Sequence, residues 1–407
     1  MAYVDVSRKS SEEKLTLAFR SIDKALRTVR SHLGMDVAFV SEFIGDHRVF
    51  RYVDSDNDSA PIKPGDVIPL SVGYCLKVVT GQLPELIPDT SALPEAMAIP
   101  ATREIPIGAH VSVAMKLSDG RIYGTFCCFS HKPNPSLNER DLGVVRVFAE
   151  LVTQQIGADM ECAWARKEKI DRILKVLEGL GPSIVYQPSF SVSGLAMQGC
   201  EALSRFHCDP VRSPDKWFAE SGEVGLQIEL ERMAIQNALS GYRSIWSQGD
   251  WYLGLNSSPQ TIIAGGLDSV FAGYPADRIM LEITEHEHVD DYDALVRSLG
   301  ELRAKGIKIA IDDAGSGYAS MRHVLSLQPD IIKLDISLTS AIDHDPMKQA
   351  LTHALIEFGH QTNCKIIAEG VETDSEMATL CGLGVYALQG YRLCRPVPMG
   401  DLLRLLP

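Results

Sequence analysis

The chain has 407 residues, of which 45% are hydrophobic and 23% charged, and its formal net charge is −14. This length leaves room for two or three domains, each with a core of its own. The acidic balance disfavours a general electrostatic grip on a nucleic-acid polymer or on an anionic membrane surface. Nine cysteines without CxxC spacing disfavour a disulfide framework, and no signal peptide or long uncharged apolar run is present. We therefore expect a cytoplasmic protein with reduced thiols.

Residues 1–136 are predicted to form an α+β module. Ile22, Leu26, Val29 and Leu33 recur at helical spacing, and the following run DVAFVSEF alternates like a strand. Later, the strand-like runs HVSVAMKL and RIYGTFCCFS flank Ser118-Asp119-Gly120, which predicts a β-hairpin. In the second of these runs the adjacent Cys127 and Cys128 should point to opposite faces of the sheet.

Residues 137–178 are predicted to form one long helix, because no proline interrupts two stretches of apolar residues at helical spacing. These residues are Val145, Phe148 and Val152, and then Ile170, Ile173 and Leu177. Two interpretations remain open. The segment is the last packing helix of the first domain, or it connects two domains and pairs with its twin in a homodimer, which its length favours.

Residues 179–407 alternate short apolar runs with segments of helical length such as DYDALVRSLGELRAKG. The runs are SIVYQ, LAMQGCEAL, WYLGLN, IMLEITE, IKIAIDD, IIKLD, KIIAEGV and ALQGYR. Eight strands in this length match the size and rhythm of a (β/α)₈ barrel.

Polar side chains gather toward the carboxyl ends of seven successive runs, where a barrel builds its active site. They are Glu201, Asn256, Glu282, Asp312 with Asp313, Lys333, Glu369 and Gln389. Five carboxylates against one lysine would raise one another's pKa unless cations are bound. Oxygen ligands without thiolates favour Mg²⁺ or Mn²⁺, and five acids suit two ions better than one.

The run IAIDDAGSGY places two carboxylates side by side. Consecutive side chains on a strand point to opposite faces, so Asp312 and Asp313 cannot both face the barrel interior in a regular strand. We expect the loop built on Gly315 and Gly317 to turn the backbone so that Asp313 also reaches the site. One acid could then bridge two metals while its neighbour binds only the second.

At these positions the segment of residues 179–407 resembles the EAL-domain cyclic di-GMP phosphodiesterases. GCEALSRF (199–206) carries the signature Glu201-Ala202-Leu203. The likeness continues in the family's order through YQP (186–188), NSSP (256–259), LEITE (281–285), DDAGSGY (312–318), IKLD (332–335), AEGVET (368–373) and LQGYRLCRP (388–396). The resemblance implies hydrolysis of cyclic di-GMP to linear pGpG, assisted by two divalent cations.

The resemblance also implies residue roles. Glu201, Asn256, Glu282 and Asp312 would hold the first metal, and Asp312, Asp313 and Glu369 the second. Glu201, Glu369 and Lys333 would be catalytic, with Lys333 orienting or deprotonating the attacking water. Substrate would contact Arg205, Leu203, Gln187 and Gln389. Glu285 would brace the DDAGSGY loop with Gly315 and Gly317, and Glu372 would support the metal ligands.

One residue difference from the family and one alternative function remain to be weighed at this point. Many relatives have phenylalanine where Ala314 stands, although alanine removes no ligand. The alternative to an enzyme is a catalytically weak EAL domain that acts as a cyclic di-GMP receptor. The complete set of ligand residue types disfavours that alternative.

The N-terminal segment resembles a GAF domain. The resemblance lies in the run VGYCLKVVTGQLPELIPDT, the predicted hairpin and the predicted helix LNERDLGVVRVFAELV. This implies a sensory or dimerising role, with a signal that the sequence does not name. Cys75 is expected to be a buried structural cysteine rather than a chromophore anchor, because Leu76 follows it where bilin-binding relatives often have histidine.

Overall fold

A computed structural model of the chain describes residues 21–56, 60–284, 289–314 and 319–406. The chain divides between Lys167 and Glu168 into two compact units, here called the N-terminal unit and the barrel unit. No helix among these residues is long and apolar enough to cross a membrane.

The N-terminal unit is an antiparallel sheet of six strands in the order β3-β2-β1-β6-β5-β4. Its first helix, α1, is described over residues 21–33. The other elements are β1 (Val37–Ile44), β2 (His47–Ser55), β3 (Val67–Pro69), α2 (Tyr74–Val79), β4 (Leu86–Ile87), α3 (Pro94–Met97), α4 (Pro100–Glu104), β5 (Ala109–Lys116) and β6 (Ile122–Ser130).

Each face of this sheet has its own core. One core joins the sheet to α1 and to the long helix that follows β6, and Cys128 belongs to it. The other joins the sheet to α2, α3 and α4, and contains Cys75 and Cys127. The predicted β-hairpin is present as the pair β5–β6. The adjacent cysteines of β6 therefore lie on opposite faces of the sheet.

Helix α5 (Glu139–Glu178) is continuous over its whole length. Its first part contributes Val145 and Val152 to a core of the N-terminal unit. Its last part contributes Ile173 and Val176 to a small core of the barrel unit. The division into domains at residues 136 and 178 stays a prediction.

The barrel unit contains eight strands closed in the order β10-β11-β12-β13-β14-β7-β8-β9. They are β7 (Ser183–Ser191), β8 (Met197–Arg205), β9 (Tyr252–Asn256), β10 (Ile279–Thr284), β11 (Lys308–Ala314), β12 (Ile331–Leu334), β13 (Lys365–Ala368) and β14 (Ala387–Leu388). The helices of this unit are α6 (Pro214–Val224), α7 (Gln227–Gly241), α8 (Pro259–Ile263), α9 (Leu267–Phe271), α10 (Tyr292–Arg303), α11 (Ala319–Leu327), α12 (Ile336–Thr339), α13 (Pro346–Thr362), α14 (Asp374–Leu383) and α15 (Met399–Leu405).

The predicted fold class, an α+β module followed by an eight-stranded α/β barrel, is confirmed, with one strand reversed. Strand β7 is antiparallel to both β8 and β14, whereas the other neighbours are parallel. The reason is the short link between β7 and β8, which turns at Gly194 and Leu195 with positive φ. Such a link is too short for the crossover that parallel strands need, so it forms a hairpin.

Candidate functional site

The interior of the barrel is built in two layers, the first apolar and the second polar. A buried cluster of Met280, Ala310, Ile331, Ile367 and Ala387 forms the apolar layer. The polar residue two positions further along each strand lies on the same side of the backbone, because side chains alternate with a period of two. These polar residues are Glu282, Asp312, Lys333, Glu369 and Gln389.

Five carboxylates converge in this polar layer. Potential ligand oxygens of Glu201, Glu282 and Asp312 all lie within 4.8 Å of one another, and the same holds for Asp312, Asp313 and Glu369. Asp312 belongs to both groups. The structure therefore brings together the carboxylates of the two ligand sets that the resemblance implies, with Asp312 shared between them.

Lys333 lies among four of these carboxylates and is 1% exposed. Its Nζ is 2.6 Å from Glu282 Oε2 and 2.7 Å from Glu369 Oε1. The same atom is 3.2 Å from Glu201 Oε2 and 3.2 Å from Asp312 Oδ1. One ammonium group thus contacts members of both oxygen clusters at once.

Burial and mutual repulsion set the ionisation of these groups. Burial raises the pKa of Glu282, Asp312 and Glu369, and it outweighs the lowering effect of Lys333 on each. At Glu201 burial also acts upward, but Lys333 and several hydrogen bonds together hold the pKa below its ordinary value. Burial alone would lower the pKa of Lys333, and the four surrounding carboxylates instead raise it well above 10.5. The lysine is therefore charged at neutral pH.

Two amides orient Glu201. Asn256 Nδ2 donates to Glu201 Oε1 at 3.1 Å, and Gln389 Nε2 donates to Glu201 Oε2 at 2.7 Å. Asn256, the last residue of β9, is left with its Oδ1 as the atom that could bind a cation. Gln187 is buried and reaches the site only through Gln389, because its own Nε2 donates to the carbonyl of Cys394 at 3.2 Å.

A β-bulge brings Asp313 to the site. The register of β11 against β12 shifts between Ile311 and Ala314, so Asp312 and Asp313 together oppose one residue of the partner strand. Asp313 has a φ of 58°, and its backbone N–H donates to Asp312 Oδ1 at 3.0 Å. The bulge thus provides the change of direction that the sequence analysis assigned to Gly315 and Gly317, which lie outside the described residues.

Glu282 has a buried oxygen that lacks a hydrogen bond. Among the described residues, Glu282 Oε1 has no hydrogen-bond partner, and Glu282 itself is 0% exposed. An unpaired buried carboxylate oxygen is costly, and a divalent cation with oxygen ligands would satisfy it. The donor set of carboxylate and amide oxygens therefore fits Mg²⁺ or Mn²⁺.

Sequence reasoning missed Gly254, which makes room for Glu282. A Cβ atom at this position of β9 would overlap Glu282 Oε1. A glycine inside a strand is the available signal, since it often marks a close approach of another group. The identity of that group could not be read from the sequence, because Glu282 is on the neighbouring strand.

Beside the acidic site lies a cavity of about 740 Å³ within the barrel unit. Leu203, Arg205, Asn256 and Glu282 line it from the strands, and Phe218 lines it from α6. Arg205 Nη1 donates to the carbonyl of Ser204 at 2.8 Å. The predicted phosphate-binding arginine and two of the predicted metal ligands, Asn256 and Glu282, therefore line one cavity.

Glu231 is a second residue that sequence reasoning missed. This buried acid of α7 also lines the cavity. It accepts hydrogen bonds from Ser258 N and from Ser258 Oγ, both at 2.9 Å. Ser258 caps α8 and follows Asn256 by two residues, so Glu231 anchors the segment that carries Asn256. An acid on a helix gives no sequence signal for such a role.

The remaining predicted residues are placed as follows. Glu372 is exposed, and in the described part of the chain neither oxygen cluster includes it. Glu285 lies outside the described residues. Ala314 is 3% exposed at the end of β11, where its carbonyl accepts from the backbone of Asp335 at 3.2 Å. The missing ring at this position therefore leaves both clusters assembled.

Comparison with known proteins separates the chain into the same two parts. A family model described as EAL domain matches residues 173–396, and one described as GAF domain matches residues 20–156. The chain is 31% identical over 223 residues to the probable cyclic di-GMP phosphodiesterase PdeD of Escherichia coli (strain K12). This match covers 53% of this chain and 41% of that protein. It is 32% identical over 229 residues to the bifunctional diguanylate cyclase/cyclic di-GMP phosphodiesterase MucR of Pseudomonas aeruginosa, covering 54% and 33%. The chain thus spans less than half the length of these curated relatives.

Two solved structures are also similar to this chain. The PaMucR phosphodiesterase in its c-di-GMP complex has a TM-score of 0.52 and 29% identity, and the match covers 58% of this chain and 99% of that one. The EAL enzyme Bd1971 in its cAMP-bound form has a TM-score of 0.56 over 92% of this chain and 93% of that one. Its identity of 18% makes this a likeness of fold alone.

Proposed function

Because the chain belongs to the EAL domain family, we propose that it hydrolyses one phosphodiester bond of cyclic di-GMP to give linear pGpG, with two divalent cations as cofactors. Curated relatives in this family are named cyclic di-GMP phosphodiesterases. The observation that carries the proposal is the pair of carboxylate clusters that share Asp312 around one buried lysine. A protein that only binds the dinucleotide has no need for so costly an arrangement.

Charge balance supports two cations. The five clustered carboxylates and Lys333 leave four negative charges unmatched, which two divalent ions would neutralise. Glu201, Asn256, Glu282 and Asp312 would hold one ion, and Asp312, Asp313 and Glu369 the other. Bound there, Mg²⁺ or Mn²⁺ would lower the pKa of a water molecule and neutralise charge that develops on the phosphoryl oxygens.

The remaining work falls to side chains of the barrel. Lys333, whose Nζ contacts carboxylates of both clusters, would orient or deprotonate the attacking water. Arg205, at the cavity beside the clusters, would bind a phosphate oxygen of the substrate through its guanidinium group. Leu203 would contact the substrate from the same strand, and Gln389 would keep Glu201 oriented.

The direct test is an assay of cyclic di-GMP with Mg²⁺ or Mn²⁺ and then with EDTA, with the product identified by mass spectrometry. We expect pGpG with either cation and none with EDTA. Glu201→Gln should lower turnover by about 100-fold or more, because a preorganised charge is lost, whereas Glu301→Gln on the exposed side of α10 should not. Tight binding without any turnover would favour the receptor alternative instead.

We also propose that the GAF domain sets the rate through α5. The last part of this helix contacts α6 through Arg172 Nε with Glu220 Oε1 at 2.8 Å and Lys169 Nζ with Glu223 Oε2 at 2.6 Å. Glu223 in turn lines the cavity beside the metal-binding clusters. A shift of α5 would therefore reach a wall of the proposed substrate site.

Comparison of the full chain with a 168–407 fragment tests this regulation. The fragment keeps Ile173 and Val176, which a cut at residue 179 would remove from the core that includes Trp217. We expect the two proteins to differ in kcat, and identical kcat and metal dependence would leave the GAF domain without this role. The signal it senses is a separate question for ligand screening.

We further propose that two copies of the chain form a homodimer by pairing of their α5 helices. Val147 and Leu151 are 57% and 56% exposed and lie one helical turn apart, as residues of a helix pair do. Sedimentation of the full chain should give twice the monomer mass. Val147→Asp with Leu151→Asp should give the monomer mass, whereas a monomeric wild-type chain would exclude this interface.

A further inference from the structure

The N-terminal unit contains a buried arginine without a carboxylate partner. Arg48 of β2 is 6% exposed, and among the described residues it forms no ion pair with an acidic side chain. Its Nε has no hydrogen-bond partner in that part of the chain, and its guanidinium lies 5.0 Å from the centre of the Phe50 ring. A guanidinium group stays charged at any accessible pH. The site therefore requires an anion from another source.

A cysteine sulfur accepts a hydrogen bond from this arginine. Arg48 Nη1 donates to Cys75 Sγ at 2.9 Å, and Cys75 is 1% exposed. The hydrogen bond from Cys127 and the charge of Arg48 lower the pKa of Cys75 well below its usual range, although burial acts in the opposite direction. Arg48 therefore favours the thiolate form of Cys75, which is the effect that a nearby arginine has on a cysteine.

A second sulfur lies next to this thiolate. Cys127 Sγ is 3.7 Å from Cys75 Sγ, and it is held by Ser112 Oγ at 3.1 Å and Thr125 Oγ1 at 3.2 Å. Burial, and then the charge and hydrogen bonding of Cys75, raise the pKa of Cys127. The pair therefore places a sulfur that faces Arg48 in contact with a second sulfur held by two hydroxyl groups.

We propose that Cys75 and Cys127 are a modification site, a dithiol that hydrogen peroxide or a related hydroperoxide oxidises to a disulfide. The Cys75 thiolate attacks one peroxide oxygen, the O–O bond breaks and hydroxide leaves, which gives a sulfenic acid. Cys127 then attacks that sulfur, the S–O bond breaks, and its proton departs with the oxygen as water. The hydroxide takes up one proton, so two thiols lose two electrons and one peroxide becomes two waters.

Disulfide formation would require only a small movement of the two sulfur atoms, and it would change the surroundings of Arg48. The sulfurs have only to close from 3.7 Å to the bond length of about 2.05 Å. The disulfide would join α2 to β6 and consume the thiolate that faces Arg48. His110 cannot replace it, because an imidazole carries no negative charge, and burial and Arg48 lower its pKa to about 3 so that it adds no positive charge either. A buried guanidinium without an anion is costly, so α2 and β2 must rearrange in the oxidised state.

Oxidation of the full chain tests the proposal. After treatment with hydrogen peroxide, free thiols are alkylated and the peptides are mapped by mass spectrometry. We expect a Cys75–Cys127 disulfide in the wild-type protein and in Cys128→Ser, whose sulfur lies on the other face of the sheet. Cys75→Ser and Cys127→Ser should lack it. Wild-type protein in which exposed Cys162 is oxidised while residues 75 and 127 stay reduced would overturn the proposal.

The role of Arg48 is tested by rate. Arg48→Met should slow formation of the disulfide at neutral pH by about tenfold or more, the effect of raising the thiol pKa to about one unit above the assay pH. Arg48→Lys keeps the charge and should restore most of the rate, with circular dichroism used to verify folding of each variant. Oxidation of Arg48→Met at the wild-type rate would overturn the assignment of Cys75 as an arginine-paired thiolate.

Discussion

Lys333 is the residue whose surroundings most sharply separate a chemical role from a binding role. Its Nζ contacts carboxylates of both clusters, and the residue is not among those that line the adjacent cavity. At the scale of single residues we therefore propose that it acts on the site's charges and on the attacking water rather than on the body of the substrate.

We predict that Lys333→Ala lowers kcat by about 100-fold or more and changes KM much less, as expected for an interaction made mainly in the transition state. Steady-state assays at saturating Mn²⁺ would measure both constants. Lys308→Ala, an exposed lysine of β11 that pairs with Asp330 at 3.4 Å, is the matched control and should behave like wild type. A change confined to KM would move Lys333 to a substrate-binding role.

At the scale of secondary-structure elements, β9 is fitted to β10 through one missing side chain. We predict that Gly254→Ala displaces Glu282 and destabilises the barrel unit by about 1–3 kcal/mol, the usual cost of overpacking. Activity should fall with it. Chemical denaturation and turnover would be measured on the same preparations.

Gly300→Ala is the control for this substitution. Gly300 lies in α10 with open space around the position of a Cβ atom. The change should therefore be neutral or stabilise the helix by up to about 1 kcal/mol. Equal effects of the two alanines would show that Gly254 is not needed for the placement of Glu282.

The elements also show how far sequence reasoning reaches. Short apolar runs separated by segments of helical length predicted all eight barrel strands, and the polar residues near the ends of seven of them indicated the site, because both features are local in the sequence. The bulge at Asp312 and Asp313 was missed because it is defined by pairing with β12, a contact between distant parts of the chain. The reversed β7 could have been predicted, since the short link at Gly194 excludes a crossover.

At the scale of the whole molecule, the protonation of the site is linked to folding. Glu282, Asp312 and Glu369 have raised pKa values, so the folded protein binds more protons at these groups than the unfolded chain does. Stability must then fall as pH rises above their ordinary values of 4.5 and 3.8. Glu201, with its lowered pKa, contributes stability that is complete above 4.5, and Lys333 stays charged to above 10.5.

We therefore predict that, in EDTA, the free energy of unfolding of the barrel unit decreases with rising pH from the weakly acidic range upward. Saturating Mg²⁺ should reduce this decrease, because cations replace the protons. Denaturation curves at several pH values, with and without Mg²⁺, measure the effect. Asp312→Asn removes one titrating group and should flatten the EDTA curve, whereas an unchanged slope in Mg²⁺ would argue against cation binding at these carboxylates.

The proposed two-cation centre on a shared Asp312 is tested most directly by anomalous X-ray diffraction from crystals of the full chain grown with Mn²⁺. We expect two anomalous peaks about 3.5–4 Å apart, both in contact with Asp312, one beside Glu201 and Glu282 and the other beside Asp313 and Glu369. Asp313→Asn should keep the first peak and weaken the second. A single peak in the wild-type protein, or peaks away from Asp312, would contradict the two-cation centre.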